Sequence, residues 1–250
     1  MALIEPFPNL DALVAALTEI IVNESISNTM IRGRFTLALP GGTTPQPLYR
    51  HLAGPEQRSR IAWAKVHVFF TDERCVPPSD QASNYRLVRE LLLDHVPIPP
   101  EQVHRMRGED EPKAAAAAYE KELRGVIGPL KGREFGVLDL ALLGLGSDGH
   151  IASLFGGKKA LHDLERWAIS EYIDEARGTR ITMSPWLLNN ARSTIVMVSG
   201  EDKARALMAV LEGPEVPDAL PAQRIAYGAN YVRWMIDAAA GKMLGSAFTR

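Results

Sequence analysis

The chain is predicted to be an α/β protein with a doubly wound, mainly parallel sheet, helices on both faces and a Rossmann-like order, in one domain over residues 1–250. Three observations predict this. Short apolar runs rich in β-forming residues alternate with segments of helical periodicity, the order in which parallel strands are joined by crossover helices. Those runs are apolar at nearly every position, so the sheet is expected to be buried on both faces. Several of them lead into glycine-rich or polar turns, where sheets of this kind bind ligands.

Each element has its own signal. Leu10, Leu13, Val14, Leu17, Ile20 and Ile21 fall on one helical face, and Gly33 ends that helix. Phe35 to Leu39 reads as a strand, followed by Pro-Gly-Gly-Thr-Thr-Pro and a short helix with Thr44 as its expected N-cap and Pro45 in the first turn. Val66 to Phe70 is the next strand. A polar loop from Thr71 to Asn84 separates it from a helix carrying Leu87, Val88, Leu91 and Leu92. Lys113 to Leu123 is helical by its alanine run, Val137 to Leu143 is a buried strand, and Trp167 to Ser170 is read as a further strand. Ser184-Pro185 opens a helix. Thr194 to Val198 is a strand that turns at Ser199-Gly200-Glu201-Asp202 into a helix through Leu207, Val210 and Leu211. The proline-rich stretches 97–100 and 214–221 read as loops within the domain.

Composition excludes several classes. At 46% hydrophobic and 23% charged, 250 residues suffice for a large core and do not read as disordered. A net charge of −2 argues against a broad nucleic-acid surface, which needs a basic face. The single cysteine, Cys75, rules out an internal disulfide and is expected to be inert; it fits a reducing cytoplasm. No apolar run reaches about 18 residues, and MALIEPFPNL lacks the pattern of a signal peptide, so neither a membrane nor export is expected. Histidines 51, 67, 95, 104 and 162 show no metal-ligand spacing, and neither a metal nor an obligate protein partner is expected.

Four turns carry the chemistry. After the first strand, Gly41, Gly42 and Thr43 offer N–H groups and a hydroxyl to an anion; alone, the same turn also reads as a loop-and-cap device. After the second come Asp72, Glu73 and Arg74, where an arginine offers a fork to a carboxylate or phosphate; alone, the triplet reads first as a solvated loop. The fourth ends in Lys203 at a helix start, a place the helix dipole disfavours for a cation. The third, LALLGLGSDGH from Leu140 to His150, runs an apolar strand into a glycine turn that presents Asp148 and His150. Gly144, Gly146 and Gly149 also satisfy G-x-G-x-x-G, with Glu171 at the spacing of a ribose-binding acid. A pyrophosphate at that turn would meet Asp148, and Gly156-Gly157 leaves barely two turns for the crossover helix that a dinucleotide needs.

Taken as a set, PGGTTP, TDERCVP with SNYRLVRELLL, LGLGSDGHIASLF and SGEDKARAL resemble the motifs of the 6-phosphogluconolactonase family, in the same order, over roughly residues 35–240. The wider superfamily includes glucosamine-6-phosphate deaminases, which share the Asp-Gly-His turn. Ile151 to Phe155 and Asp72-Glu73-Arg74 favour the lactonase branch, as does Arg180-Ile181-Thr182 before Ser184-Pro185; Gly156 stands where lactonases commonly have proline. The resemblance implies cofactor-free hydrolysis of 6-phospho-D-glucono-1,5-lactone to 6-phospho-D-gluconate, in the oxidative pentose phosphate pathway. It implies His150 as general base, Asp148 supporting the imidazole, and Arg74 holding substrate or oxyanion. It also implies Gly41, Gly42, Thr43, Asp72, Gly146, Arg180 and Lys203 as substrate or phosphate contacts. A deaminase and a non-catalytic sugar-phosphate sensor are the alternative readings.

Overall fold

In the computed structural model, residues 3–128, 137–226 and 232–245 are described. In chain order the elements begin β1 (Leu3–Phe7), α1 (Leu10–Arg32), β2 (Phe35–Leu39), α2 (Gln46–Ala53), α3 (Pro55–Arg58) and β3 (Val66–Phe70). Next come β4 (Asp72–Arg74), α4 (Asn84–Leu91), β5 (Val103–His104), α5 (Pro112–Ile127) and β6 (Leu140–Gly144). The chain continues through β7 (Ala168–Asp174), β8 (Gly178–Met183), α6 (Pro185–Asn189), β9 (Ser193–Val198) and α7 (Ala204–Glu212). The described elements end with α8 (Gln223–Ala226), β10 (Val232–Asp237) and α9 (Ala238–Gly241).

Seven strands form one parallel sheet in the order β1-β10-β9-β6-β2-β3-β5. Successive side chains of a strand point to opposite faces, and here both faces are apolar. Leu37 and Leu39 of β2, Leu140 and Leu142 of β6, and Ile195 and Met197 of β9 pack with Leu13, Leu17 and Ile21 of α1 and Leu48 of α2. Their neighbours Ala38, Ala141, Leu143, Val196 and Val198 join the opposite layer, with Leu123 of α5, Leu187 of α6 and Leu207 of α7. The unbroken apolar runs of the sequence are thus the inner strands of a sheet covered twice.

The strand order places the site. From β2 the chain moves outward through β3 to β5, then returns to the other side of β2 at β6 and moves outward through β9 to β10. The connections after β2 and β6 therefore diverge, and a crevice opens between their carboxyl ends, the usual binding place in an open α/β sheet.

Four expectations are corrected. Trp167 to Ser170 was expected as one more strand of the parallel sheet; β7 instead pairs antiparallel with β8, and β8 with β4, in a separate three-stranded sheet. The stretch from Thr71 to Asn84 is accordingly not all loop, since it contains β4. Thr44 does not cap α2: Pro45 occupies the N-cap position and there is no side-chain cap hydrogen bond. The buried strand expected from Val137 begins only at Leu140. Gly33 does end α1, in the left-handed region at φ 74, where a side chain would be strained.

Candidate active site

The crevice is a cleft of about 190 Å³ lined by the turns after β2 and β6, with Asp72 and Arg74 from β4, Asn84 from α4 and Lys203 from the turn before α7. It brings together Gly41, Gly42, Thr43, Asp72, Arg74, Gly146, His150 and Lys203, all residues singled out in the sequence. Asp148 and Arg180 stand outside the lining.

The turn after β2 is held from below. Tyr49 Oη, fully buried in α2, donates to Pro40 O at 2.5 Å. Gly42 then takes φ +90, which glycine alone adopts without strain. Gly41 matters for a different reason: a Cβ there would lie 1.7 Å from Asn84 Oδ1. Its role is to let α4 approach.

Asn84 organises the second turn. Its Nδ2 donates to Asp72 O at 2.8 Å, while its Oδ1 accepts from Arg74 Nη1 at 2.6 Å. Arg74 Nη1 also donates to Ala82 O at 2.7 Å, so the guanidinium is held at the rim of the cleft. Glu73, on the other side of the strand, is buried and accepts from the backbone N–H groups of Arg74, Asn84 and Tyr85 and from Ser83 Oγ. Burial pushes its carboxyl above the usual range despite those four donors. Glu73 ties β4 to the start of α4 and so fixes the arginine's origin. Asp72 is buried at the cleft wall, its Oδ2 accepting from Ser153 Oγ at 2.6 Å.

The turn after β6 shapes the dyad. Gly146 N donates to His150 O at 2.9 Å and Gly149 N to Gly146 O at 3.0 Å, with Gly149 at φ 82. The imidazole folds back over the turn so that its Nδ1 lies 2.5 Å from Asp148 Oδ1. A Cβ on Gly146 would fall 2.0 Å from that Nδ1. That glycine makes room for the ring. The hydrogen bond from His150 holds the Asp148 carboxyl well below the usual carboxylate range, against the opposing effect of burial. Phe155 stacks on the imidazole, with ring centroids 4.4 Å apart and planes at 25°. Behind the turn, Ala222 N donates to Gly149 O at 2.9 Å, and Leu220 fills the space where a Gly149 side chain would be. Gly156, the departure from the resembled motif, has the carbonyl of Asp218 2.7 Å from where its Cβ would lie, so this segment packs directly against residues 218 and 219. Ala152, in the cleft lining, is the one non-glycine residue with positive φ among those described, at 49°.

The dinucleotide alternative finds no support in this geometry. No helix follows Gly149; the chain bends through residues 151–158 to a single 3₁₀ turn, Lys159–His162. Glu171, the candidate ribose acid, accepts from Ala160 N at 2.9 Å. Among the described residues, no group of three His, Cys, Asp or Glu side chains is placed to hold a metal ion.

Arg180 lies directly opposite Arg74 in the β4–β8 ladder. Its proton is held less firmly than usual, first because the group is partly buried and next because Arg74 stands beside it. Lys203 is anchored by Asp202 Oδ2 at 3.1 Å and reaches the cleft from the opposite side. Sequence reasoning missed Asn84, Ser153, Phe155 and Arg177. Asn84 lay inside a recognised motif, but its part depends on the close approach at Gly41, which no local pattern shows.

A histidine–aspartate pair facing arginine and lysine at the switch point of a doubly wound sheet defines an enzyme-type site for a small anionic molecule. The profile of the glucosamine-6-phosphate isomerases/6-phosphogluconolactonase family matches residues 8–234, and the chain belongs to that family. It is 36% identical over 242 residues to a 6-phosphogluconolactonase of a Nostoc species, covering 96% of this chain and 98% of that one. It is 35% identical over 224 residues to the 6-phosphogluconolactonase of Haemophilus influenzae, covering 90% and 94%. The solved structure of 6-phosphogluconolactonase from Trypanosoma brucei superposes with a TM-score of 0.83 at 27% identity, covering 98% of this chain and 99% of that one. Among the described residues, no helix is long and apolar enough to cross a membrane.

Proposed function

We propose that this chain hydrolyses 6-phospho-D-glucono-1,5-lactone to 6-phospho-D-gluconate, with His150 as the general base. The observation that carries the reading is the 2.5 Å contact between His150 Nδ1 and Asp148 Oδ1 in a ring that lines the cleft. An ionised Asp148 keeps the proton on Nδ1, which leaves Nε2 as the basic nitrogen. Nε2 takes a proton from water as the oxygen of that water adds to the lactone carbonyl. The carbonyl electrons move to its oxygen, where Arg74 and N–H groups of the glycine turn stabilise the negative charge. As the intermediate collapses, the bond to the ring oxygen breaks and the imidazolium returns its proton to that oxygen. Ring opening and base regeneration are thus one event.

The 6-phosphate is assigned to Gly42, Thr43 and Lys203, with Arg180 adding its charge beside Arg74. Asp72, held by Ser153, is the acceptor for a sugar hydroxyl. The same reading takes residues 1–250 as one domain that works in the cytoplasm, without an obligate protein partner.

The test is lactone disappearance with and without the protein, corrected for spontaneous hydrolysis. The wild-type chain is expected to accelerate it, and His150→Ala to fall close to the background rate while retaining phosphate affinity. Full activity in His150→Ala removes the histidine from the mechanism. Ammonia release from glucosamine 6-phosphate, with no effect on the lactone, replaces the reading with a deaminase.

A further inference from the structure

The hairpin between β7 and β8 carries Arg177 to the dyad. Its backbone N–H donates to Asp174 Oδ1 at 2.7 Å and its Nη1 to Asp174 Oδ2 at 2.6 Å, so the side chain is anchored within its own hairpin. Its Nη2 donates to Asp148 Oδ2 at 3.2 Å, and its Cζ stands 5.1 Å from the centroid of Phe155. Phe155 is the ring stacked on His150. The four side chains therefore close a circuit: imidazole to carboxylate, carboxylate to guanidinium, guanidinium to phenyl face, phenyl to imidazole.

Two arguments say what the circuit does. A carboxylate held by one oxygen rotates easily about its terminal torsion, because that torsion has a broad profile. In Asp148 the second oxygen is also held, so the plane that receives the imidazole is fixed. Stability is not the purpose, since the Arg177 and Asp148 side chains are 43% and 44% exposed and such pairs contribute at most about 1 kcal/mol. The groups facing this guanidinium are Asp148, Asp174 and the Phe155 ring, together with Arg180, whose Nε donates to Arg177 O at 2.8 Å. Its charge is already matched by two carboxylates, which distinguishes it from Arg74, Arg180 and Lys203.

We propose that Arg177 is a positioning residue for the lactonase reaction, an inference that rests on the function proposed above. It acts through Asp148 and Phe155 to fix the orientation of His150 and makes no contact with substrate.

The experiment compares the full-length wild-type chain with Arg177→Met and Arg177→Lys. It measures kcat, KM, melting temperature and, without substrate, the downfield proton resonance of His150 Nδ1–H, assigned by its loss in His150→Gln. In Arg177→Met, kcat is expected to fall ~10-fold through misorientation of the base. KM stays within about twofold, and the melting temperature moves by no more than about 2 °C, as loss of an exposed pair implies. The resonance broadens or disappears. Arg177→Lys keeps the charge without the fork and recovers part of kcat. The proposal is overturned by an unchanged resonance in Arg177→Met, whatever happens to kcat, or by a rise in KM with kcat intact, which would make Arg177 a substrate contact. If the wild-type chain does not hydrolyse the lactone, the functional reading fails, and the substrate-free resonance still decides whether Arg177 orders the dyad.

Discussion

Gly146→Ala tests the geometry of the dyad without removing any of its functional groups. The added Cβ would lie 2.0 Å from His150 Nδ1, 2.3 Å from Cε1 and 2.8 Å from Asp148 Oδ1, where ordinary contact begins at 3.4 Å. The imidazole has to retreat by at least about 1.4 Å, and the stacked Phe155 prevents it from simply sliding across its own plane normal. A shift of that size breaks the 2.5 Å hydrogen bond to Asp148. A misplacement of ~1 Å can cost 10²-fold in rate, or about 2.7 kcal/mol of activation free energy. The fold should survive, because the His150 side chain is 31% exposed and can swing outward, leaving an overpacking cost of about 1–2 kcal/mol. Initial rates of lactone consumption, corrected for background, are measured beside a thermal melt. Gly125→Ala serves as the control: it lies within α5, its Cβ would meet nothing within 4 Å, and it should keep full activity while gaining about 0.5–1 kcal/mol. A folded Gly146→Ala with kcat within threefold of wild type would refute the idea that this glycine exists to seat the imidazole.

Three further outcomes follow from the same site. Lys203→Ala should raise KM at least several-fold with a smaller effect on kcat, because its charge binds a phosphate remote from the reacting carbonyl; an unchanged KM would place the phosphate elsewhere. Cys75 has its thiol pushed up to about 11 by burial and then by Glu73, so iodoacetamide at pH 7.5 should label the native chain far more slowly than the unfolded one, and equal labelling rates would contradict this. Asp148 is held low, so the stability it contributes is complete above its unfolded value of about 3.9 and is lost only as pH falls through its much lower folded value. It therefore stays ionised from pH 5 to 8. A kcat/KM profile over that range should accordingly show no inflection from Asp148; two inflections there would contradict an aspartate held ionised beside the base.

Four inner strands were legible because they are buried on both faces: FTLAL, VHVFF, LALLG and STIVMV are nearly continuous apolar runs, whereas the equally buried β10, VRWMID, was not read because Arg233 and Asp237 interrupt its apolar pattern. Strands without that signature were missed. β1 is short, carries Glu5 and Pro6 and lies at the sheet edge, and β4 consists of three charged residues that pair only because β8 lies alongside. Trp167 to Ser170 showed local β character but not its partner, since antiparallel pairing with β8 depends on the hairpin and not on the run itself. Most of the site was legible because its residues cluster on turns that follow strands. The parts that were not legible are contacts across elements, such as Asn84 against Gly41 and Arg177 against Asp148. The glycines show the difference most clearly. Gly41 and Gly146 were expected as substrate contacts, and each now has a sufficient reason in the side chain it admits.

The pairing of β1 with β10 sets the order in which a growing chain can complete its sheet. Among the described residues β1 pairs with no strand except β10, and the link is fastened by Arg233 on Glu5, groups 228 positions apart, at 2.7 and 2.8 Å. During synthesis β1 therefore emerges before the other described strands and has no strand to pair with until β10 has left the ribosome. The residues that line the cleft, by contrast, all lie between Pro40 and Lys203, on the turns after β2 and β6, on β4, at the start of α4 and on the turn after β9. The catalytic crevice can assemble while the far edge of the sheet is still open, so a chain arrested shortly before β10 is expected to hold a formed cleft next to an unprotected β9 edge.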